Sequence, residues 1–291
     1  MYDRAKLGKA PRSGLLMLEA LVGISEFAHR LGWFWLIVAF LVLGLVWLAL
    51  ATYADHLVGQ GRYHQALRLV PFSAMSFSGR SYFRGDVLTA AGRYEEAEHM
   101  LRQAIDHSRG LKVDTVLALE DLGNVLMDTG RFEEAQRCFR DAADILPGRS
   151  PWATGMAEVL LRQGIFIQNA LTYAERALNS FRNGTERITD SWRLGGILAT
   201  KAWALAACDR GAEARAAIDA AMRSPVRKTK GPLAQVHYKA GMSLLTLSDY
   251  QGAEEHLARG SQLDPTGRWG RLCAGALRRQ TDAGVGGHEI P

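Results

Sequence analysis

Between Leu119 and Pro147 the apolar positions follow a helical period. Leu119, Leu122 and Leu126 fall three or four residues apart and form one stripe. After Gly130 the stripe resumes as Phe132, Ala135, Phe139 and Ala142, and Pro147 closes the segment. The pattern predicts two antiparallel helices joined at Gly130, a residue able to take the left-handed conformation that ends a helix. Gly123 and Ala135 are small where the helices would cross, which lets the backbones approach to about 8–10 Å. Phe132 would plug the gap between the two helices.

The same phrase returns along the chain. An earlier copy carries Gly85, Leu88, Gly92, Tyr94, Ala97, Leu101 and Ala104, and the last carries Gly241, Leu244, Tyr250, Ala253, Leu257, Gly260 and Pro265. Two copies between them are degenerate. One has Leu160, Gly164, Phe166, Ala170, Ala174 and Ala177, with one extra residue in its turn. In the other, Leu198, Ala202, Leu205, Ala214 and Ile218 keep the stripe while Gly211 replaces the aromatic plug. A partial copy with Gly61, Tyr63 and Ala66 precedes them, and its first helix would be the end of the apolar segment described below. One such hairpin cannot cover its own apolar stripe, so each must stack on a neighbour. On these residues the chain resembles the tetratricopeptide repeat family over about residues 59–265. The resemblance implies an all-α solenoid of five repeats within 73–265, after a junction at 55–72. It also places surplus residues near 106–112, 178–190 and 223–231, a capping helix over 266–282 and a disordered tail over 283–291.

The resemblance further implies that first helices line a concave groove holding a protein or peptide partner. Its inward positions are Tyr82 and Asp86, then Glu120, Asn124 and Asp128, then Glu158 and Arg162, then Trp203, and finally Tyr238, Met242 and Leu245. The set is acidic early and aromatic or apolar late, so it suits an extended ligand with a basic and a hydrophobic portion. The alternative for Trp203 and Tyr238 is packing between repeats. Some family members clamp a C-terminal carboxylate with Lys and Asn, but here Glu120 stands where the lysine would be needed.

Residues 31–54, LGWFWLIVAFLVLGLVWLALATYA, carry no charge. At about 1.5 Å per residue they span roughly 36 Å, more than the ~30 Å hydrocarbon core of a bilayer. Trp33 and Trp35 at one end, with Trp47 and Tyr53 towards the other, match interfacial aromatic belts. We read the stretch as an uncleaved transmembrane signal anchor: it is too long and too late for a cleaved leader. Arg4, Lys6, Lys9, Arg12 and Arg30 precede it, whereas only Arg62 and Arg68 follow closely. The positive-inside rule therefore puts the basic tail 1–13 in the cytoplasm and the repeats outside it. Residues 14–30 are apolar but carry Glu19 and Glu26, which suits an amphipathic interfacial helix. If that segment crossed instead, a two-helix hairpin would leave the repeats facing the cytoplasm.

Of 291 residues, 48% are hydrophobic and 22% charged, with net charge +5, a profile that argues against disorder and gives little support to nucleic-acid binding. Three scattered cysteines and eight histidines show no metal-ligand or disulfide spacing. No phosphate loop, nucleophile elbow or HExxH occurs. Glu95–Glu96 and Glu133–Glu134 suit the positive end of a helix dipole. The basic residues Arg223 and 227–230 read as a solvated insertion. No cofactor, metal, catalytic residue or small-molecule substrate is expected. The expected role is a non-enzymatic scaffold in a bacterial inner membrane, serving envelope assembly or protein translocation. The alternatives are an accessory subunit of a polysaccharide or cytochrome-maturation machinery and the cytoplasm-facing adaptor.

Overall fold

The computed structural model describes residues 12–73, 77–108, 112–184, 193–224 and 230–285. Residues 109–111, 185–190 and 225–229 of the expected insertion loops, residues 1–11 of the basic tail and residues 286–291 lie outside these. The chain divides into two units, Met1–Leu50 and Ala51–Pro291. Helix α1 (Arg12–Gly59) forms the described part of the first unit and contributes its last turns to the second. Within α1, the 28 residues Gly32–Gly59 are long and apolar enough to cross a bilayer. Phe40 is 74% exposed, and Trp35 and Leu43 are similarly bare.

The second unit is helical throughout its described residues. The end of α1 pairs with α2 (Tyr63–Ser73), burying Leu57 against Tyr63, Ala66 and Val87. Hairpins follow as α3 (Phe77–Ala90) with α4 (Tyr94–His107), α5 (Lys112–Asp128) with α6 (Phe132–Ile145), and α7 (Ser150–Gln163) with α8 (Ile167–Asn183). Then come α9 (Arg193–Ala207) with α10 (Gly211–Arg223), α11 (Lys230–Thr246) with α12 (Tyr250–Leu263), and a final helix α13 (Arg268–Val285).

Each first helix ends in the same way. The residue after the turn donates its N–H to the carbonyl of a leucine five positions back: Arg62 to Leu57, Arg93 to Leu88, Arg131 to Leu126, Ile165 to Leu160, Arg210 to Leu205 and Asp249 to Leu244. This closure needs a left-handed residue just before the donor. Glycine supplies it four times (Gly61, Gly92, Gly130, Gly164), while Asp209 and Ser248 supply it at φ 59° and 61°. Three second helices then open with an arginine gripping a glutamate three residues on, Arg93–Glu96, Arg131–Glu134 and Arg210–Glu213, each through two hydrogen bonds. Such exposed pairs, screened by solvent, contribute little to stability.

The extra residue in the third full turn proves to be the aromatic one. After Ile165 closes α7, Phe166 adopts φ 48° and stands 69% exposed, while Ile167 takes the inward place. Phe166 is therefore not the plug that its alignment suggested. Tyr250 also departs from expectation: it is 58% exposed, and among the described residues a single helix, α13, follows α12 and meets the Tyr250 carbonyl through Gln280. Tyr94 and Phe132 do pack against the core.

Glycines on the first helices meet large side chains from the second. A Cβ on Gly85 or Gly241 would come within 2.7 Å of Leu101 or Leu257. Phe139, 1% exposed, lies against both Gly123 of its own hairpin and Gly155 of the next, so one ring binds two repeats. Ala97, Ala135, Ala214 and Ala253 are fully buried on the facing helices, and Pro147 and Pro265 follow the ends of α6 and α12. We expect Phe139→Ala to cost about 3–5 kcal/mol in denaturant melts. By contrast, Phe166→Gly should leave stability unchanged or raise it by roughly 1 kcal/mol, since a β-carbon in the left-handed region is disfavoured.

Candidate functional site

First helices pack in succession, α3 on α5, α5 on α7, α7 on α9 and α9 on α11. The residues assigned to the groove lie on these first helices and form two clusters. Towards the first hairpins, Tyr82, Asn124 and Asp121 gather, with Asp86 close by. Glu120 is held by Arg149, whose Nε and Nη2 donate to its two oxygens at 3.3 and 3.2 Å. Burial, reinforced by Asp121 and Asp55, raises the Asp86 carboxyl to about 8. Burial raises Glu120 to about 7, against the pull of Arg149 and Arg193.

The second cluster joins hairpins far apart in sequence. Arg162 donates to Asp128 at 2.9 Å and to Glu158 at 2.7 Å. Lys239, fully buried, lies 2.9 Å from the other Glu158 oxygen and donates to Thr200 at 2.8 Å. Arg268, from the first turn of α13, grips both oxygens of Asp128 at 2.5 and 3.1 Å. Burial alone would raise Glu158, but Lys239, Arg162 and Arg268 outweigh it and hold the carboxyl down at about 2. Burial lowers Lys239, and the two guanidiniums add to that while Glu158 opposes it. The difference follows from the count: three cations share two carboxylates.

Aromatic rings close this cluster. Trp203 and Tyr238 meet edge to face at 6.3 Å, Tyr238 lies 5.8 Å from Trp269, and Arg268 sits 4.3 Å over the Trp269 ring. Trp203 and Tyr238 are only 4% and 3% exposed. Met242 and Leu245 are half-buried against the same apolar core. Lys239, Arg268 and Trp269 were not picked out by the repeat pattern. Lys239 follows Tyr238 on a stripe otherwise apolar or small, and a lone cation there was the available signal. Arg268 and Trp269 belong to the segment read only as a cap. Elsewhere His237 and His256 share a hydrogen bond at 3.1 Å, and burial lowers both imidazoles. Among the described residues no cluster of three or more metal-ligating side chains forms.

Folding takes up a proton at Asp86, whose carboxyl rises from its ordinary value of 3.8 to about 8. Its contribution to stability is therefore largest at acid pH and falls as pH rises towards 8. Asp86→Asn removes that loss, so its melting temperature relative to the parent chain should rise between pH 6 and pH 9. Equal differences at the two pH values would refute this.

Residues 78–147 match the family model described as "Tetratricopeptide repeat". No curated protein matches the chain. Among solved structures, the Cut9–Hcn1 hetero-tetramer of the APC/C is similar with a TM-score of 0.51 and 14% identity, over 79% of this chain and 45% of that one. A thermophilic repeat protein of Thermus thermophilus is 17% identical, with a TM-score of 0.47, over 65% of this chain and 92% of that one. PilF of Pseudomonas aeruginosa is 17% identical, with a TM-score of 0.47, over 82% and 99%. At these identities the likeness is one of fold. Residues 78–147 thus carry the tetratricopeptide repeat, and the recurring helix ending and glycine crossings continue the same helical-hairpin fold through the described hairpins that follow.

Proposed function

We propose that the chain is a membrane-anchored, non-enzymatic scaffold whose repeats stand outside the cytoplasm and hold a protein partner. Tetratricopeptide-repeat proteins are generally non-catalytic and bind proteins or peptides. The observation that carries the reading is the pairing of a bare apolar helix, Gly32–Gly59, with a stack of hairpins whose inner face gathers acidic and aromatic side chains. In water, contiguous apolar surface on that scale calls for a lipid or protein cover. The positive flank before the helix orients it with the repeats outside. The carboxylates suited to a basic segment and the rings suited to an apolar one are paired or buried within the chain, so a partner would have to displace what covers them. Envelope assembly or protein translocation is the setting this architecture fits.

Two measurements test the reading. With Cys138 and Cys208 replaced by alanine, a cysteine at exposed Glu95 should react with an impermeant thiol reagent in intact spheroplasts. Protection there, with reaction only after lysis, would place the repeats in the cytoplasm. The chain should also stay in the membrane pellet after alkaline extraction, and release into the supernatant would refute the anchor.

A further inference from the structure

The inner face is not empty. The turn between α12 and α13 crosses the stack and reaches the first hairpins, some two hundred residues away in sequence. Asp264 accepts a hydrogen bond from the Tyr63 hydroxyl of α2 at 2.8 Å. Arg271 donates to the Ala91 carbonyl at the end of α3 and lies over Gly92, where a Cβ would overlap its guanidinium. Between these two ties, Arg268 grips Asp128 and Trp269 packs on Tyr238. Residues 267–271, Gly-Arg-Trp-Gly-Arg, therefore form a strap lying on the face assigned to a partner. They carry the chemistry read from that face in advance: a cation for the carboxylates, then a ring for the aromatics.

Three features mark the strap as separable from the stack beneath it. The first is electrostatic: without Arg268, two cations (Arg162, Lys239) face two carboxylates (Asp128, Glu158), so the remaining network is balanced. Asp128 would then present Oδ2, which Arg162 does not reach, to another guanidinium. The second is packing: beyond its first turn, the body of α13 packs on α11 and α12 through buried Cys273 and Ala276. The third is the seam with the first hairpin, where a cavity of about 440 Å³ is lined by Tyr63, Ala91 and Thr266 among others.

We propose that residues 267–271 are a resident occupant of the inner face, and that the partner enters with an arginine–aromatic segment of its own that replaces Arg268 and Trp269. The inference rests on the scaffold reading above and names the chemistry of the partner segment. The incoming arginine makes the two-pronged contact with Asp128 while the ring stacks on Tyr238, and the strap swings out about Gly267 and Gly270.

The test uses the full chain in lipid nanodiscs and a fluorescent peptide of sequence Gly-Arg-Trp-Gly-Arg, read by anisotropy. Against the parent chain the peptide must displace the strap; against Arg268→Gln/Trp269→Ala the site stands open. The expected result is at least tenfold tighter binding to the double variant, with Asp128→Asn in that background removing the gain. Equal affinity for parent and double variant, or binding indifferent to Asp128→Asn, overturns the proposal. So does a double variant that loses its helical signal, because the strap would then be part of the core. If the peptide fails while the parent chain still captures a membrane protein, the scaffold reading survives and the strap proposal falls.

Discussion

The structure depends on how closely two helices of a hairpin approach, which is set by a glycine on one facing a large side chain on the other. Gly85 under Leu101, Gly123 under Phe139 and Gly241 under Leu257 are three instances of the same contact. With a Cβ at any of them the helices would have to part. Because Phe139 also covers Gly155, the same ring that sets one hairpin sets the offset to the next. The curvature of the stack is the sum of these offsets. Curvature in turn brings the turn after α12 back to α2 and α3, and so decides what the inner face can meet.

That inner face is where the energetics change character. The crossings are apolar. The inner face instead buries Glu120, Glu158, Lys239 and Arg268 and half-buries Asp86, Asp128 and Arg162, all costly to remove from water. The two clusters meet the cost in different ways. Around Asp86 the carboxyl is held neutral, since its nearest charged neighbours include other carboxylates. Around Asp128 and Glu158, guanidinium and ammonium groups arrive from α7, α11 and α13, so the carboxylates stay ionised. The network draws α5, α7, α11 and α13 together through directional contacts, which fix relative positions more sharply than apolar contact would. It also gives the site a polarity, neutralised acids at one end and ion pairs roofed by aromatic rings at the other.

A face built this way suits reversible exchange better than one built of leucines. Swapping one arginine for another preserves every charge contact, so a strap and a partner of like chemistry differ little in what they leave behind. The ties at Tyr63 and Ala91 then determine how readily the exchange begins. They involve one carboxylate, one carbonyl and two hydrogen bonds at a seam that retains a cavity.

Much of this was legible from residue spacing alone. The apolar run 31–54, the helical stripes, the glycine turns and the small residues at crossings are local properties, and local sterics and burial decide them. Two turns misled for an equally local reason. Phe166 occupies the position of an aromatic plug, yet the inserted residue needed a left-handed backbone, and Ile167 took the inward place. Tyr250 has the right neighbours in sequence, yet it stays exposed, with a single helix after its hairpin among the described residues. What no spacing could reveal is which chain segment lies on the inner face. Arg268 and Asp128 are 140 residues apart, and only the accumulated rotation of every intervening hairpin brings them together.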